Sequence, residues 1–492
     1  MINKRTTFYF LFFLGLAFLF SYQLTQIPPG INIDESSIGY NASLISRTLH
    51  DENGRWLPVF ILTLAGRDWK QPIRIYLTAL LFKLFGPSYI GLRLVSVLFA
   101  LVSSFIFFKI LRLFFPEKLS FIGLLLFVTS PSILIQSHLA LENIDLLPFM
   151  LLWLYFLFSY SLKPANRKLL FSGIFLGLSL YAYKGMRVIG PVYLATSLCY
   201  LGYLVFKKKL AKVKSISCFL LGMVPFLLPL GWLQKHYAGA IYDPATVSVP
   251  SLDETIITYL SAFDFSFLFG TGDKMLVHST QRHGMFLVPT LILLFLGIIQ
   301  ISKEKKPWFY FIFFSLILTP LLLGSVNSVY RASRLMAYLP LATLIFTLGV
   351  KKIFEMKNQV FRFFTALLLV FGLSVSYFDF VKCYWQEYPK WIVEHFSPNF
   401  EAAVKQLAVL AETENRVAYF EENDYSTHRS DLNFFQEVYF PQGIKLWPRG
   451  KAAFPENALA LTSLEGTGEL KNFQVIDGLQ SGQKTYYIVG KE

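Results

Sequence analysis

Three groups of polar side chains interrupt an otherwise apolar sequence. The first is the adjacent pair Asp34 and Glu35 in "NIDESSIGY", just after the first hydrophobic run. A carboxylate placed there can act as a general base, taking a proton from an acceptor hydroxyl or amine. Asp34 can equally cap a helix that starts near Ser36. The second group is His138, Glu142 and Asp145 in "SHLALENIDLLPF". His138 and Glu142 are four residues apart and share a face if the segment is helical. With Asp34 they form a candidate metal set, although one histidine among carboxylates is a weak metal signal. Asp145 also suits the first turn of a helix, where the dipole favours an anion. The third group is cationic: Lys184 and Arg187 in "YAYKGMR", Arg282 beside His283 in "TQRHG", and Arg331 and Arg334 in "NSVYRASRLMAYLP". Guanidinium forks match phosphate oxygens. The plainer reading of each cation is a long side chain reaching toward lipid head groups.

The chain must place these groups with very little soluble surface. Of its 492 residues 54% are hydrophobic and 17% aromatic, with 51 Phe, which is the composition of a polytopic membrane protein. Eleven stretches are apolar and long enough to span, near 7–27, 90–111, 118–136, 145–162, 168–183, 188–206, 215–233, 284–302, 307–324, 333–350 and 361–379. With the N-terminus in the cytoplasm, the inner segments 1–6, 109–118, 163–168, 207–214, 303–306 and 351–362 hold 20 Lys or Arg against three acidic residues. The positive-inside rule therefore predicts an N-in, C-out topology of eleven spans. It also explains much of the net charge of +14 without nucleic acid. The first run is basic, then apolar, with no small-residue cleavage site after it, and reads as a retained signal anchor. The three cysteines show no disulfide or zinc spacing.

The cations of the third group fall on the outer side and break the positive-inside pattern, which favours an anionic ligand at that depth over three separate lipid contacts. The first outer loop, 28–89, is predicted to carry two surface helices, "SSIGYNASLISRTLH" and the short "IRIYLTALLFKLF". A second long outer loop spans 234–283. Residues 381–492 form an outer C-terminal region. From residue 383 on it holds 15 Asp or Glu against 10 Lys or Arg. Its segments "NFEAAVKQLAVLAE", "RVAYF" and "KTYYIVG" predict a small α/β domain. The spans carry almost no interior charge, which weighs against an ion-coupled transporter.

The order of these motifs resembles the polytopic membrane glycosyltransferases of GT-C fold that use polyprenyl-phosphate sugars. The nearest relatives are the protein-mannosyltransferase-like family and the lipid A aminoarabinose transferases. The resemblance runs over about residues 1–380. It rests on the "DE" after the first span, on "QPIRIYLTALLFKLFGPSYIGLRLVSVLFAL", "SPSILIQSHLALENIDLLPF" and "YAYKGMR", and on "FLFGTGDKMLVHSTQRHGMF". It implies a catalytic role for Asp34, with Glu35 as helper or alternative. It also implies that Arg187, Arg331 and Arg334 bind the donor phosphate, with Lys184 and Arg282 as further candidates. Two positions depart from the family pattern. His138 follows Ser137 where an Arg is common, and Gln71-Pro72 stands where a Pro-Pro pair is common.

The resulting expectation is a plasma-membrane glycosyltransferase. It moves a sugar from a polyprenyl-phosphate donor to a protein, lipid or glycan acceptor on the outer face, with inversion. Its partners are those two substrates and membrane lipids. No cofactor is required, and a divalent metal at Asp34, His138 and Glu142 is left open. A transporter or flippase of lipid-linked sugars is the alternative, and a receptor role for the C-terminal region a third reading.

Overall fold

The computed structural model describes residues 4–64, 66–207, 213–237, 250–440, 443–450, 453–466, 470–476 and 484–491. Most of the basic run 207–214 and residues 238–249, near the start of the 234–283 loop, lie outside the described residues. The chain forms two compact units, one of residues 1–22 and 96–384 and the other of 23–95 and 385–492.

The first unit is helical. Each of the eleven apolar stretches falls on helix, because leucine- and phenylalanine-rich runs without interior charge satisfy every backbone group internally. Among the described residues, five helices are long and apolar enough to cross a membrane: Tyr89–Phe114, which contributes to both units, Met186–Phe206, Val213–His236, Pro307–Ser325 and Gln359–Trp391. A sixth is the pair Glu117–Val128 and Pro131–Ser137, bent by 60° where Pro131 interrupts the run. The fold is thus that of a polytopic membrane protein with several apolar helices.

Glycines bring the helices of this unit close together. A Cβ on Gly173 would lie 2.0 Å from the Phe219 carbonyl oxygen, and one on Gly222 would lie 2.2 Å from that of Leu170. The helices Asn166–Ala182 and Val213–His236 therefore pack backbone to backbone. One expectation fails here. The helix Pro131–Ser137 ends before His138, and turns follow to Asp145. His138 and Glu142 thus do not share a helical face. Asp145 stands at the N-cap position of the next helix, Leu146–Leu162.

The second unit joins the first loop to the C-terminal region, so residues 23–95 do not cluster with the helical residues that a division at 380/381 would give them. Its two loop helices are Ile33–Thr48 and Pro72–Phe85, separated by an antiparallel hairpin of β1 (Ile61–Thr63) and β2 (Asp68–Lys70). The C-terminal region carries the expected α/β fold. Its strands are β3 (Val417–Glu421), β4 (Lys445–Trp447), β5 (Ala458–Thr462), β6 (Lys471–Ile476) and β7 (Tyr486–Gly490). They lie in the order β4-β3-β5-β7-β6, with β3 parallel to β4 and β5, and β7 antiparallel to β5 and β6.

The Ile33–Thr48 helix was expected at a membrane surface. Instead its residues Glu35–Gly39, Asn41–Ser43 and Ile45 are buried by protein. The helices Pro72–Phe85 and Glu422–Tyr439 pack against it. Gly39 allows this: a Cβ there would sit 2.5 Å from the Phe434 ring, which itself stacks on Phe82. Ser36 Oγ lies 2.6 Å from Asp431 Oδ1, and Ser43 donates to Glu437 at 2.6 Å.

Candidate active site

The helix that carries the acidic pair starts at a capping box. The side chain of Asn32 accepts the Asp34 N–H at 2.9 Å, and Glu35 Oε2 accepts the Asn32 N–H at 3.1 Å. Asn32 is therefore the cap, and Asp34 lies inside the first turn rather than ahead of it.

The two carboxylates have opposite surroundings. Glu35 is fully buried and takes a two-point grip from Arg93, Nε to Oε1 and Nη2 to Oε2, both at 2.9 Å. Arg93 also donates Nη1 to the carbonyls of Leu24 at 3.0 Å and Pro28 at 2.9 Å, and Nη2 to that of Gly30 at 3.0 Å. Every N–H of this buried guanidinium is thereby used. Its charge also lies 4.5 Å from the Tyr89 ring. Arg93 thus fastens the loop leading into the helix, and the Tyr89 hydroxyl donates to the same Gly30 carbonyl.

Asp34, by contrast, has a side chain 43% exposed. Lys70, at the end of β2, reaches its Oδ1 at 2.6 Å and Asp68 at 2.9 Å. Asp34 Oδ2 has no hydrogen-bond partner among the described residues. Three further acids in this unit are driven up by burial: Asp431, to about 6, Glu52, to about 7, and Glu401, where the nearby Arg93 charge works against the shift.

In the first unit, several expected residues come together around the buried hydroxyl of Tyr183. Arg334, Glu142 and Arg331 lie within its electrostatic reach, together with Asp273. Arg331 has a side chain 23% exposed and faces buried Asp273, Nε to Oδ1, at 3.4 Å. Arg334 is half-buried, and its side chain has no hydrogen bond or ion pair among the described residues. The two guanidinium groups thus act on each other and on the same hydroxyl, with Asp273 facing Arg331 and Glu142 within reach of that hydroxyl.

His138 is buried, with Nδ1 3.1 Å from the Tyr384 hydroxyl. Lys184 is exposed on the turn before the helix Met186–Phe206, and Arg187 is half-buried in the first turn of that helix. Arg282 is exposed on a turn, while its neighbour His283 lies 3.0 Å from Asp379. Among the described residues no three His, Cys, Asp or Glu side chains are gathered as a metal ion requires, so Asp34, His138 and Glu142 do not form such a set.

Three residues central to this geometry were not singled out from the sequence. Arg93 is a lone charge at the head of an apolar run, a placement that marks a buried partner. Lys70 and Asp273 sit in or beside the quoted motif stretches, but their partners are far away in sequence, so no local signal pairs them.

Residues 70–232 match the sequence profile of the dolichyl-phosphate-mannose-protein mannosyltransferase family, PMT_2. No curated protein sequence matches the chain significantly. Among solved structures, ArnT from Cupriavidus metallidurans in the apo state aligns with a TM-score of 0.60 at 12% identity, over 99% of this chain and 98% of that one. The same protein bound to undecaprenyl phosphate aligns with a TM-score of 0.54 at 11% identity, over 98% of each chain. The Archaeoglobus fulgidus oligosaccharyltransferase in the apo form aligns more loosely, with a TM-score of 0.48 at 12% identity, over 87% of this chain and 63% of that one. The chain thus carries the mannosyltransferase family profile over residues 70–232 and shares the fold of ArnT over nearly its whole length.

Proposed function

We propose that this protein transfers a sugar from a polyprenyl-phosphate donor to an acceptor on the outer face of the membrane, with Asp34 as general base. The observation that carries this reading is the split between adjacent carboxylates. Glu35 is sealed and used by Arg93, whereas Asp34 is nearly half exposed and keeps one oxygen without a protein partner. Lys70 holds Oδ1, which leaves Oδ2 to accept the proton.

In the proposed reaction the acceptor hydroxyl or amine gives its proton to Asp34 as its oxygen or nitrogen attacks the anomeric carbon. The bond from that carbon to the phosphate oxygen breaks, and the electron pair leaves with the polyprenyl phosphate. Arg331 and Arg334 stabilise the phosphate charge, so the leaving group needs no general acid. Arg187, Lys184 and Arg282 are secondary candidates for the same anion. Attack opposite the leaving group inverts the anomeric centre. An eleven-span, N-in topology, expected from the distribution of Lys and Arg, would put this chemistry on the outer face. The undecaprenyl phosphate bound to ArnT supports a long-chain polyprenyl donor for this chain.

The test uses purified protein in nanodiscs and a panel of polyprenyl-phosphate sugars, with released polyprenyl phosphate read by mass spectrometry. Asp34→Asn is expected to slow release by about 10²–10⁴-fold, the usual contribution of a general base, and to leave donor affinity unchanged. Equal turnover in the two proteins would remove the base role from Asp34.

A further inference from the structure

We infer that Asp273 is a positioning residue that sets the reach of Arg331, and through it the anion site. This inference rests on the reading that Arg331 and Arg334 hold the donor phosphate.

Asp273 is 1% exposed and uses both carboxylate oxygens. Oδ1 accepts the Met275 N–H at 2.9 Å and faces Arg331 Nε at 3.4 Å. Oδ2 accepts the Ser333 N–H at 2.9 Å and the Ser333 hydroxyl at 3.0 Å. One buried charge therefore ties the 272–275 loop to the turn Ala332–Leu335. A second tie runs alongside, from the Lys274 N–H to the Tyr330 carbonyl at 2.9 Å. Gly272 lets the chain make this approach. Its φ is +76°, and a Cβ there would lie 2.5 Å from the His283 carbonyl oxygen and 2.6 Å from Ser279 Oγ.

Arg331 needs such an anchor. Its backbone, at φ −112° and ψ 86°, is not helical, so no regular element aims its side chain. Arg334, three residues on, carries a like charge that pushes against it. Asp273 offsets that repulsion as an ion pair that faces the Nε edge of the guanidinium without a hydrogen bond. The two terminal amino groups of Arg331, which have no protein partner among the described residues, are left for a phosphate. Asparagine at 273 keeps the shape but loses the charge. It also turns one acceptor into an N–H₂ that faces donors.

The experiment measures binding of a polyprenyl phosphate, with the uncharged polyprenol as control, to the full chain in nanodiscs. Wild type, D273N, R331A and the double variant are compared. D273N is expected to weaken polyprenyl phosphate binding about tenfold, the scale of a hydrogen bond to a charged group. It should leave polyprenol binding unchanged and lower kcat no more than R331A does. The double variant should bind no more weakly than R331A, because Asp273 acts through Arg331. Additive losses, or an equal loss of polyprenol binding, would overturn the inference. Unchanged polyprenyl phosphate binding in R331A would instead overturn the donor-phosphate assignment, and this inference with it. Should D273N not fold, Ser333→Ala removes one donor from the same carboxylate. Weaker polyprenyl phosphate binding that disappears in the R331A background would support the inference, and undiminished binding would overturn it.

Discussion

Asp34 and Glu35 are joined by one peptide bond, but the helix turns their side chains about 100° apart, one toward Arg93 and one toward Lys70. That turn gives them different consequences on substitution. Glu35→Gln leaves Arg93 as a buried cation without its counter-charge. It is expected to destabilise the fold by about 3–5 kcal/mol, the usual result of removing one partner of a buried pair. Its kcat at a temperature where it is folded should stay within about tenfold of wild type, far above Asp34→Asn. Thermal unfolding followed by Trp fluorescence, alongside release of polyprenyl phosphate, checks both halves. Equal loss of kcat in the two variants would contradict the division of roles. At this scale the sequence exposed the pair but not the split. Adjacent acids after a hydrophobic run look equivalent until the burial of each is known, and Arg93, the residue that separates them, lies 58 positions away.

At the scale of elements, the Ile33–Thr48 helix is held by its neighbours rather than by lipid. Gly39→Ala would drive a methyl group into the Phe434 ring. A loss of about 1–3 kcal/mol is expected, and Phe434→Leu in the same chain should return part of it. A double-variant cycle of melting temperatures measures the coupling, and independent effects would show that the contact is not the cause. The same helix contact is pH-sensitive. Burial lifts Asp431 to about 6, and burial beside Asp51 lifts Glu52 to about 7. Ser36 Oγ also lies 3.0 Å from the Ile33 carbonyl, so a protonated Asp431 can donate to that oxygen while the hydroxyl donates onward. Both folded pKa values lie above those of the unfolded chain. Stability is therefore full below about pH 4 and lost as pH rises through 6 and then 7, with Asp431 accounting for about 3 kcal/mol. Melting temperature against pH should flatten over the lower part of that window in Asp431→Asn. The elements themselves were legible because their hydrophobic periodicity is strong: both loop helices and the strands "RVAYF" and "KTYYIVG" stand where the pattern put them. Burial of the first helix was not legible, since its serines and Asn41 look solvent-facing and are instead bonded within the unit.

At the scale of the molecule, the compact units ignore chain order, and residues 23–95 belong with 385–492. No composition boundary marks this, because the partners Ser36 and Asp431 are 395 positions apart. Truncation after about residue 380 is accordingly expected to abolish donor cleavage as well as acceptor use. The shortened chain would also become sensitive to proteolysis within 33–85. Retained release of polyprenyl phosphate by the shortened protein would show that the first loop holds its carboxylate unaided. Long-range pairing of this kind has a further consequence during synthesis. A ribosome adds about 5–20 residues per second. The helix bearing Asp34 therefore leaves it tens of seconds before Phe434 and Asp431 exist to pack against it. Until then a half-built enzyme in the membrane cannot draw on that packing, and a prematurely terminated chain never acquires it. A segment translated late thus helps complete a unit whose acidic pair was made early, so a folded unit would report that translation had passed residue 439.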